Sequence, residues 1–149
     1  MLCQLEIPVE TVSTCAVGAG WFCLNAAPAQ PVPDEVLERA DLVVANRYEL
    51  DALGRTPRLA ALTLGAEGAV LLEDGHEVAR ARPPQVEAVD GTAAGDAFTA
   101  CLVVSLLEGR DREEALRRAC AAGALAASRL GAQPSLPTVA EVDAILAGG

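Results

Sequence analysis

Apolar and polar positions alternate over residues 1–7, a period of two that predicts a short strand ended by Pro8. Residues 9–17 predict a brief helix, stopped by Gly18-Ala19-Gly20. Residues 21–24 read as a buried strand and 25–33 as a proline-rich loop, after which Pro33-Asp34-Glu35 opens a short helix reaching residue 40, with its acids in the first turn. Another apolar strand is expected over 41–45. Asn46 to Leu50 then begin a helix that Gly54 ends, and 58–64 form the next strand. Two strand-like runs, 69–72 and 77–81, flank Asp74-Gly75 and predict a hairpin. Residues 86–89 lead into a loop of glycine and alanine, and the remainder is mostly helical, over 96–107, 112–129 and 138–146. Strands alternating with helices predict an α/β fold whose mostly parallel sheet is flanked by helices and binds ligands at the carboxyl ends of its strands. The segment between Glu49 and Ala60 is near the lower limit for a parallel crossover, so one face of the sheet is expected to be thinly covered.

Composition narrows the function. With 149 residues and 52% hydrophobic content the chain is expected to form one domain with a sizeable core. Two Phe, one Trp and one Tyr leave that core aliphatic. A net charge of −10 argues against nucleic acid or an anionic membrane as partner, since both repel an acidic surface. No charge-free apolar run of about 18 residues occurs and the first residues are not basic, so a cytoplasmic protein is expected. The five cysteines are odd in number and lack C-x-x-C spacing, which speaks against a disulfide framework or a zinc site. They read as buried small hydrophobes, with one reactive thiol as the alternative. His76, beside Asp74-Gly75, reads as a solvated turn residue.

The most informative stretch is Val89-Asp90-Gly91-Thr92-Ala93-Ala94-Gly95-Asp96-Ala97-Phe98. Ala93, Ala94 and Gly95 carry little side chain to shield their amides, and the apolar helix that follows would point its positive end at the same spot. Such a nest can hold the charge of a phosphoryl group in transfer. Asp96, in the first turn, is then placed to accept a proton from an attacking hydroxyl. The plain alternative is a tight connection with an acidic N-cap.

This stretch resembles the D-T-x-[AG]-A-G-D-x-F signature of the ribokinase-like, or PfkB-type, sugar kinases. Further matches follow in the family's order: Gln4-Leu5-Glu6, the segment from Leu24 to Ala29 (Leu-Asn-Ala-Ala-Pro-Ala), Asn46-Arg47-Tyr48-Glu49 as N-x-x-E, Thr63-Leu64-Gly65-Ala66-Glu67-Gly68 as T-L-G-x-x-G, and Gly131-Ala132-Gln133-Pro134-Ser135. The Asn-Ala-Ala-Pro-Ala and Gly-Ala-Gln-Pro-Ser segments favour the ribose branch over fructokinase or adenosine kinase relatives.

The resemblance implies an ATP-dependent kinase that phosphorylates the 5-hydroxyl of ribose. Asp96 would be its base, with the amides of Ala93, Ala94, Gly95 and Asp96 around the transferring phosphoryl. It implies that Asn25 contacts nucleotide phosphates, that Thr63, Gly65 and Gly68 approach the nucleotide, and that Asn46 and Glu49, three residues apart on one helical face, organise Mg²⁺. Asp90, Thr92, Ala126, Arg129, Gly131 and Ser135 match positions that hold a monovalent cation, so potassium is expected as well. Two positions depart from the pattern: Arg47, where the family often has Glu, and Gly91-Thr92, where Thr usually comes first. The match begins at the family's second half, so residues 1–149 are expected to be a C-terminal nucleotide-binding and catalytic domain, truncated before the sugar-binding glycines and the lid. Two alternatives stay open: a non-catalytic nucleotide-binding remnant, and a kinase for another sugar or a nucleoside. A homo-oligomer is a further expectation, since missing cover would leave a sheet edge and apolar surface exposed.

Overall fold

The computed structural model describes residues 1–148. Its chain divides into two compact units, one formed by Met1–Leu64 with Val70–Val78, the other by Gly65–Ala69 with the chain from Ala79 onward.

The first unit repeats a strand–helix step three times: β1 (Leu2–Gln4), α1 (Val9–Gly18), β2 (Cys23–Asn25), α2 (Asp34–Arg39), β3 (Leu42–Asn46), α3 (Arg47–Ala52) and β4 (Leu59–Thr63). β1 to β4 pair in parallel and in sequence order, and β5 (Ala69–Glu73) and β6 (His76–Ala81) extend the same six-stranded sheet. Crossovers of one hand that always step the same way put their helices on one face. Accordingly Val12 and Ala16 of α1, Val36 and Leu37 of α2, and Leu50 and Leu53 at α3 share one apolar cluster with Cys3, Leu24, Val43 and Ala45. Alternate strand residues point the other way. Those of the central strands are equally withdrawn from solvent, Cys23 and Leu42 at 0% exposure and Val44 at 3%. Strands inside a parallel sheet are apolar on both faces and buried on both. The crossover through α3 needs only six helical residues because β3 and β4 are adjacent.

The hairpin forms as expected. Asp74 (φ 49°) and Gly75 (φ 79°) both adopt the left-handed conformation that a two-residue turn with matching twist requires. His76 is exposed.

The second unit is helical: α4 (Ala94–Leu107), α5 (Arg112–Ala127) and α6 (Val139–Ala147). Ala97, Ala121, Ala122, Ala126 and Val142 form a cluster between them. The alanine-rich run is thus a packing surface, where small side chains let helix axes approach closely. Asp111 caps α5 by accepting from the Glu114 amide at 2.8 Å, and Thr138 and Glu141 close a capping box on α6. α4 begins two residues earlier than expected, with Ala93 as N-cap. Asp96 is therefore the third helical residue, and the N-cap alternative does not hold. Among the described residues no helix is long and apolar enough to cross a membrane.

Gly68 shows what the fold demands of one position. Its φ is +100° and an added Cβ would stand 2.0 Å from the Ala81 carbonyl oxygen. Gly75 has a similar φ of +79°, but its nearest neighbour would be the Thr56 methyl at 3.7 Å. In urea unfolding, Gly75→Ala is expected to cost about 1–2 kcal/mol from backbone strain alone, and Gly68→Ala a further 1–3 kcal/mol or so from forced backbone displacement. Equal losses would show that the close approach is not a constraint.

Glu141 gives the second unit a pH dependence. Its carboxylate accepts from the Thr138 amide, the Arg129 guanidinium and the Thr138 hydroxyl, which together hold it down to about 2. A carboxylate depressed in the folded state stabilises fully above its unfolded pKa and loses that contribution as pH falls through the folded one. The stability gap between the wild type and Glu141→Ala, read from urea midpoints, is expected to be widest above about pH 5 and to close toward pH 2. A gap independent of pH would assign the effect to helix propensity instead.

Candidate active site

In the first unit, polar residues gather where parallel strands end. Gln4 pairs with Asn25, Asn25 with Val44, Val44 with Ala61, and Asn46 with Thr63. Because side chains alternate, Gln4, Asn25, Asn46 and Thr63 share the sheet face opposite to α1, α2 and α3, at its carboxyl end. This is where α/β sheets bind ligands. Asn25 is buried, at 7% exposure. The loop after it is held by two hydrogen bonds: the Leu5 amide donates to the Ala27 carbonyl at 2.8 Å, and the Gln30 side-chain amide donates to the Leu5 carbonyl at 2.7 Å. The Ala27–Pro28 peptide is cis.

Asn46 and Glu49 meet in a way that corrects the expected geometry. They are not two side chains on one helical face, because Asn46 lies outside α3 as its N-cap. Its Oδ1 accepts from the Glu49 amide at 2.9 Å, and Glu49 Oε2 accepts from the Asn46 amide at 2.7 Å. This capping box satisfies helix-end donors that would otherwise lack partners. It also fixes the Glu49 carboxylate at the strand end, with Oε1 still able to accept from a water or face a cation. Arg47 is exposed. Thr63 makes only a long contact, its hydroxyl 3.5 Å from the Ala45 carbonyl.

In the second unit, Gly65 to Glu67 form one 3₁₀ turn closed by the Gly68 amide on the Gly65 carbonyl at 3.1 Å. Gly65, at φ +59°, is exposed and Gly68 buried.

The glycine–alanine loop is tied down from both sides. Asp90 Oδ1 accepts from the Thr92 amide at 3.0 Å and from its hydroxyl, while Oδ2 accepts from the Gly131 amide at 2.9 Å. These donors, the Thr92 hydroxyl foremost, hold the Asp90 carboxyl below its usual range. The amides of Val89 and Asp90 donate to the carbonyl of Ala127 at the end of α5, at 2.8 and 3.0 Å. Gly131 adopts a positive φ of 86°. Ser135 is fully buried and its hydroxyl donates to the Ala132 carbonyl at 2.7 Å.

Of the four amides expected around an anion, one is otherwise engaged. The Ala94 amide donates to the Gly91 carbonyl at 3.2 Å, completing the turn into α4. The amides of Gly95 and Asp96 come before the first intrahelical acceptor, as the opening amides of any helix do. Asp96 itself is exposed at this end. Gly91 has open space at its Cβ position and no positive φ, so the departure there does not reflect a conformational need.

Within the second unit Asp90, Thr92 and Gly131 are brought into direct hydrogen bonding. Of the other three expected positions, the Arg129 guanidinium bonds Glu141 at 2.5 Å, the Ala126 carbonyl accepts from the Arg129 amide at 3.2 Å, and the Ser135 hydroxyl donates to the Ala132 carbonyl at 2.7 Å. Among the described residues no group of three or more His, Cys, Asp or Glu side chains could hold a metal ion. One contributor was missed from the sequence: an added Cβ on Gly123 of α5 would stand 3.1 Å from the Ala94 carbonyl, so this glycine lets α5 pack against the first turn of α4. A lone glycine within an alanine-rich helix was the available signal.

Comparison with known proteins gives the chain's family. The family model for pfkB family carbohydrate kinases matches residues 9–139. The chain is 36% identical to a ribokinase of Bacillus subtilis over 98% of its own length and 54% of that protein. It is 32% identical to a Haemophilus influenzae ribokinase, covering 93% of the chain and 52% of that protein. Among solved structures it resembles ribokinase from Thermotoga maritima (TM-score 0.87, 33% identity, 98% of this chain and 56% of that one). It is also similar to Arabidopsis thaliana ribokinase complexed with ribose and ATP (TM-score 0.88, 29% identity, 97% and 55%). The chain spans about half the length of the curated relatives it matches. By these matches the chain belongs to the pfkB family of carbohydrate kinases.

Proposed function

We propose that the chain carries the nucleotide-binding and phosphoryl-transferring part of an ATP-dependent sugar kinase whose acceptor is the 5-hydroxyl of D-ribose. The observation that carries this reading is the exposed Asp96 carboxylate at the start of α4, beside the amides of Gly95 and its own, on a loop that Asp90 fastens to Gly131. Ribose as the acceptor rests on the relatives named as ribokinases and on the Arabidopsis ribokinase complexed with ribose and ATP.

Asp96 takes the proton of the attacking hydroxyl as the oxygen bonds to phosphorus, so that the nucleophile does not become a cationic oxonium. The Gly95 and Asp96 amides hydrogen-bond the equatorial oxygens of the transferring group, and the end of the α4 dipole adds to their field. Because phosphoryl transfer asks little covalent work of a protein, positioning and charge stabilisation supply most of the catalysis. Asn25 and Asn46 at the strand ends bind phosphates, while Thr63, Gly65 and Gly68 let the nucleotide lie against backbone.

The donor set suits Mg²⁺ held mainly by phosphate oxygens and water, as is usual for this ion, with Glu49 and Asn46 as its protein contacts. When bound, Mg²⁺ neutralises charge on the triphosphate. For potassium, Asp90 already accepts from three donors, so Thr92, Gly131, Arg129 and Ser135 would contribute chiefly through carbonyl oxygens.

Two variants test the reading. Asp96→Asn is expected to lower ribose-dependent ADP formation by about two to four orders of magnitude while calorimetric ATP affinity stays within about twofold. Unchanged turnover at neutral pH would remove Asp96 as the base. Glu49→Ala is expected to weaken binding of ATP with Mg²⁺ but leave binding of ATP without it unaltered. Equal losses under both conditions would mean that Glu49 serves only to cap α3.

A further inference from the structure

The amides of Gly95 and Asp96 can hold a transferring group only if their N–H bonds point at it, because a hydrogen bond weakens steeply as its angle closes. Their direction is set from behind, at the carbonyl ends of the same peptide units. A trans peptide is planar and rigid, with its carbonyl oxygen and its amide hydrogen on opposite sides, so fixing one end aims the other. The Gly95 amide shares its plane with the Ala94 carbonyl, and the Asp96 amide shares its plane with the Gly95 carbonyl.

Both carbonyls meet a particular neighbour within the second unit. Thr99, one turn further along α4 and only 2% exposed, donates its hydroxyl to the Gly95 carbonyl at 2.8 Å. The Ala94 carbonyl is approached by α5 at Gly123, where an added Cβ would stand 3.1 Å from the oxygen but 3.5 Å from the Phe98 Cβ. A side chain there would therefore press on the carbonyl rather than on Phe98. Glycine inside a helix is less stable than alanine, and Gly123 is flanked by Ala121, Ala122 and Ala124. The exception falls where α5 passes behind the first turn of α4. On the opposite side of that turn Gly95 and Asp96 are exposed.

We propose that Gly123 and Thr99 are positioning residues that aim the Gly95 and Asp96 amides, respectively, at the transferring phosphoryl group. The proposal rests on the reading of this loop as the holder of that group. Thr99 acts by attraction, tying the Gly95 carbonyl into the helix, and Gly123 by absence, leaving the Ala94 carbonyl undeflected. A threonine hydroxyl bonded four residues back also occurs in helices that hold nothing at their start. Amide direction is what separates the two roles.

The test uses the isotope-labelled full chain, with backbone N–H residual dipolar couplings measured in a weakly aligning medium. Gly123→Ala is expected to change the Gly95 coupling and Thr99→Val the Asp96 coupling, while Leu102 and Val103, further along α4, keep theirs. Thr99→Ser, which retains the hydroxyl, should keep the wild-type Asp96 value. In the wild type, ATP with Mg²⁺ is expected to move both amide protons downfield. That shift should shrink at least about twofold for Gly95 in Gly123→Ala and for Asp96 in Thr99→Val, as misdirected donors bond the anion less well. Couplings that stay at their wild-type values would overturn the proposal, as would changed couplings with undiminished nucleotide shifts. If Gly123→Ala does not fold, that glycine serves the packing of the whole unit, and the Thr99 variants decide the rest. Wild-type amides that ignore the nucleotide would instead overturn the reading of the loop on which the proposal rests.

Discussion

The carboxylate of Asp90 holds together two segments 41 residues apart, accepting from the Thr92 amide and hydroxyl on one side and from the Gly131 amide on the other. A loop of glycine and alanine has almost no side-chain contacts with which to order itself, and its backbone freedom opposes a fixed form. Asp90 offsets that deficit with hydrogen bonds to a charged acceptor, which are stronger than neutral ones. The Ala127 carbonyl adds a second fastening through the amides of Val89 and Asp90. Everything expected of the first turn of α4 depends on this anchorage, since amides can stabilise a transient charge only if they are already aimed.

Small residues carry the same logic into the packing. Gly123 leaves room for the Ala94 carbonyl, and the alanines of α5 form a close surface for the neighbouring helices. Larger side chains would bury more area but would hold the helices apart. The result is a close-packed support for the first turn of α4, built from residues that individually contribute little hydrophobic free energy.

At the strand ends of the first unit one pair of side chains has a double role. The capping box of Asn46 and Glu49 stabilises a helix of only six residues, and in doing so it orients a carboxylate beside other polar strand ends. A purely structural and a functional reading of this pair are therefore compatible. Arg47 at the first position of α3 is exposed and outside the box, so the departure from the family pattern leaves the cap unaffected.

Much of this was legible in the sequence, because its signals are local. Alternation, proline and glycine stops, and the Asp74-Gly75 turn depend on neighbours a few residues away, and they determined the order of elements and the α/β class. Family motifs determined which residues to examine, down to Asp96 and the six positions expected around a cation. What the sequence could not determine depends on residues distant along the chain. That Asp90 reaches Gly131, that the Ala94 amide is consumed by a turn, that Asn46 caps rather than shares a helical face, and that both faces of β2 and β3 are buried were decided by tertiary structure. Hydrogen-bond geometry and burial are set by which segments pack together, and a one-dimensional pattern does not contain those distances.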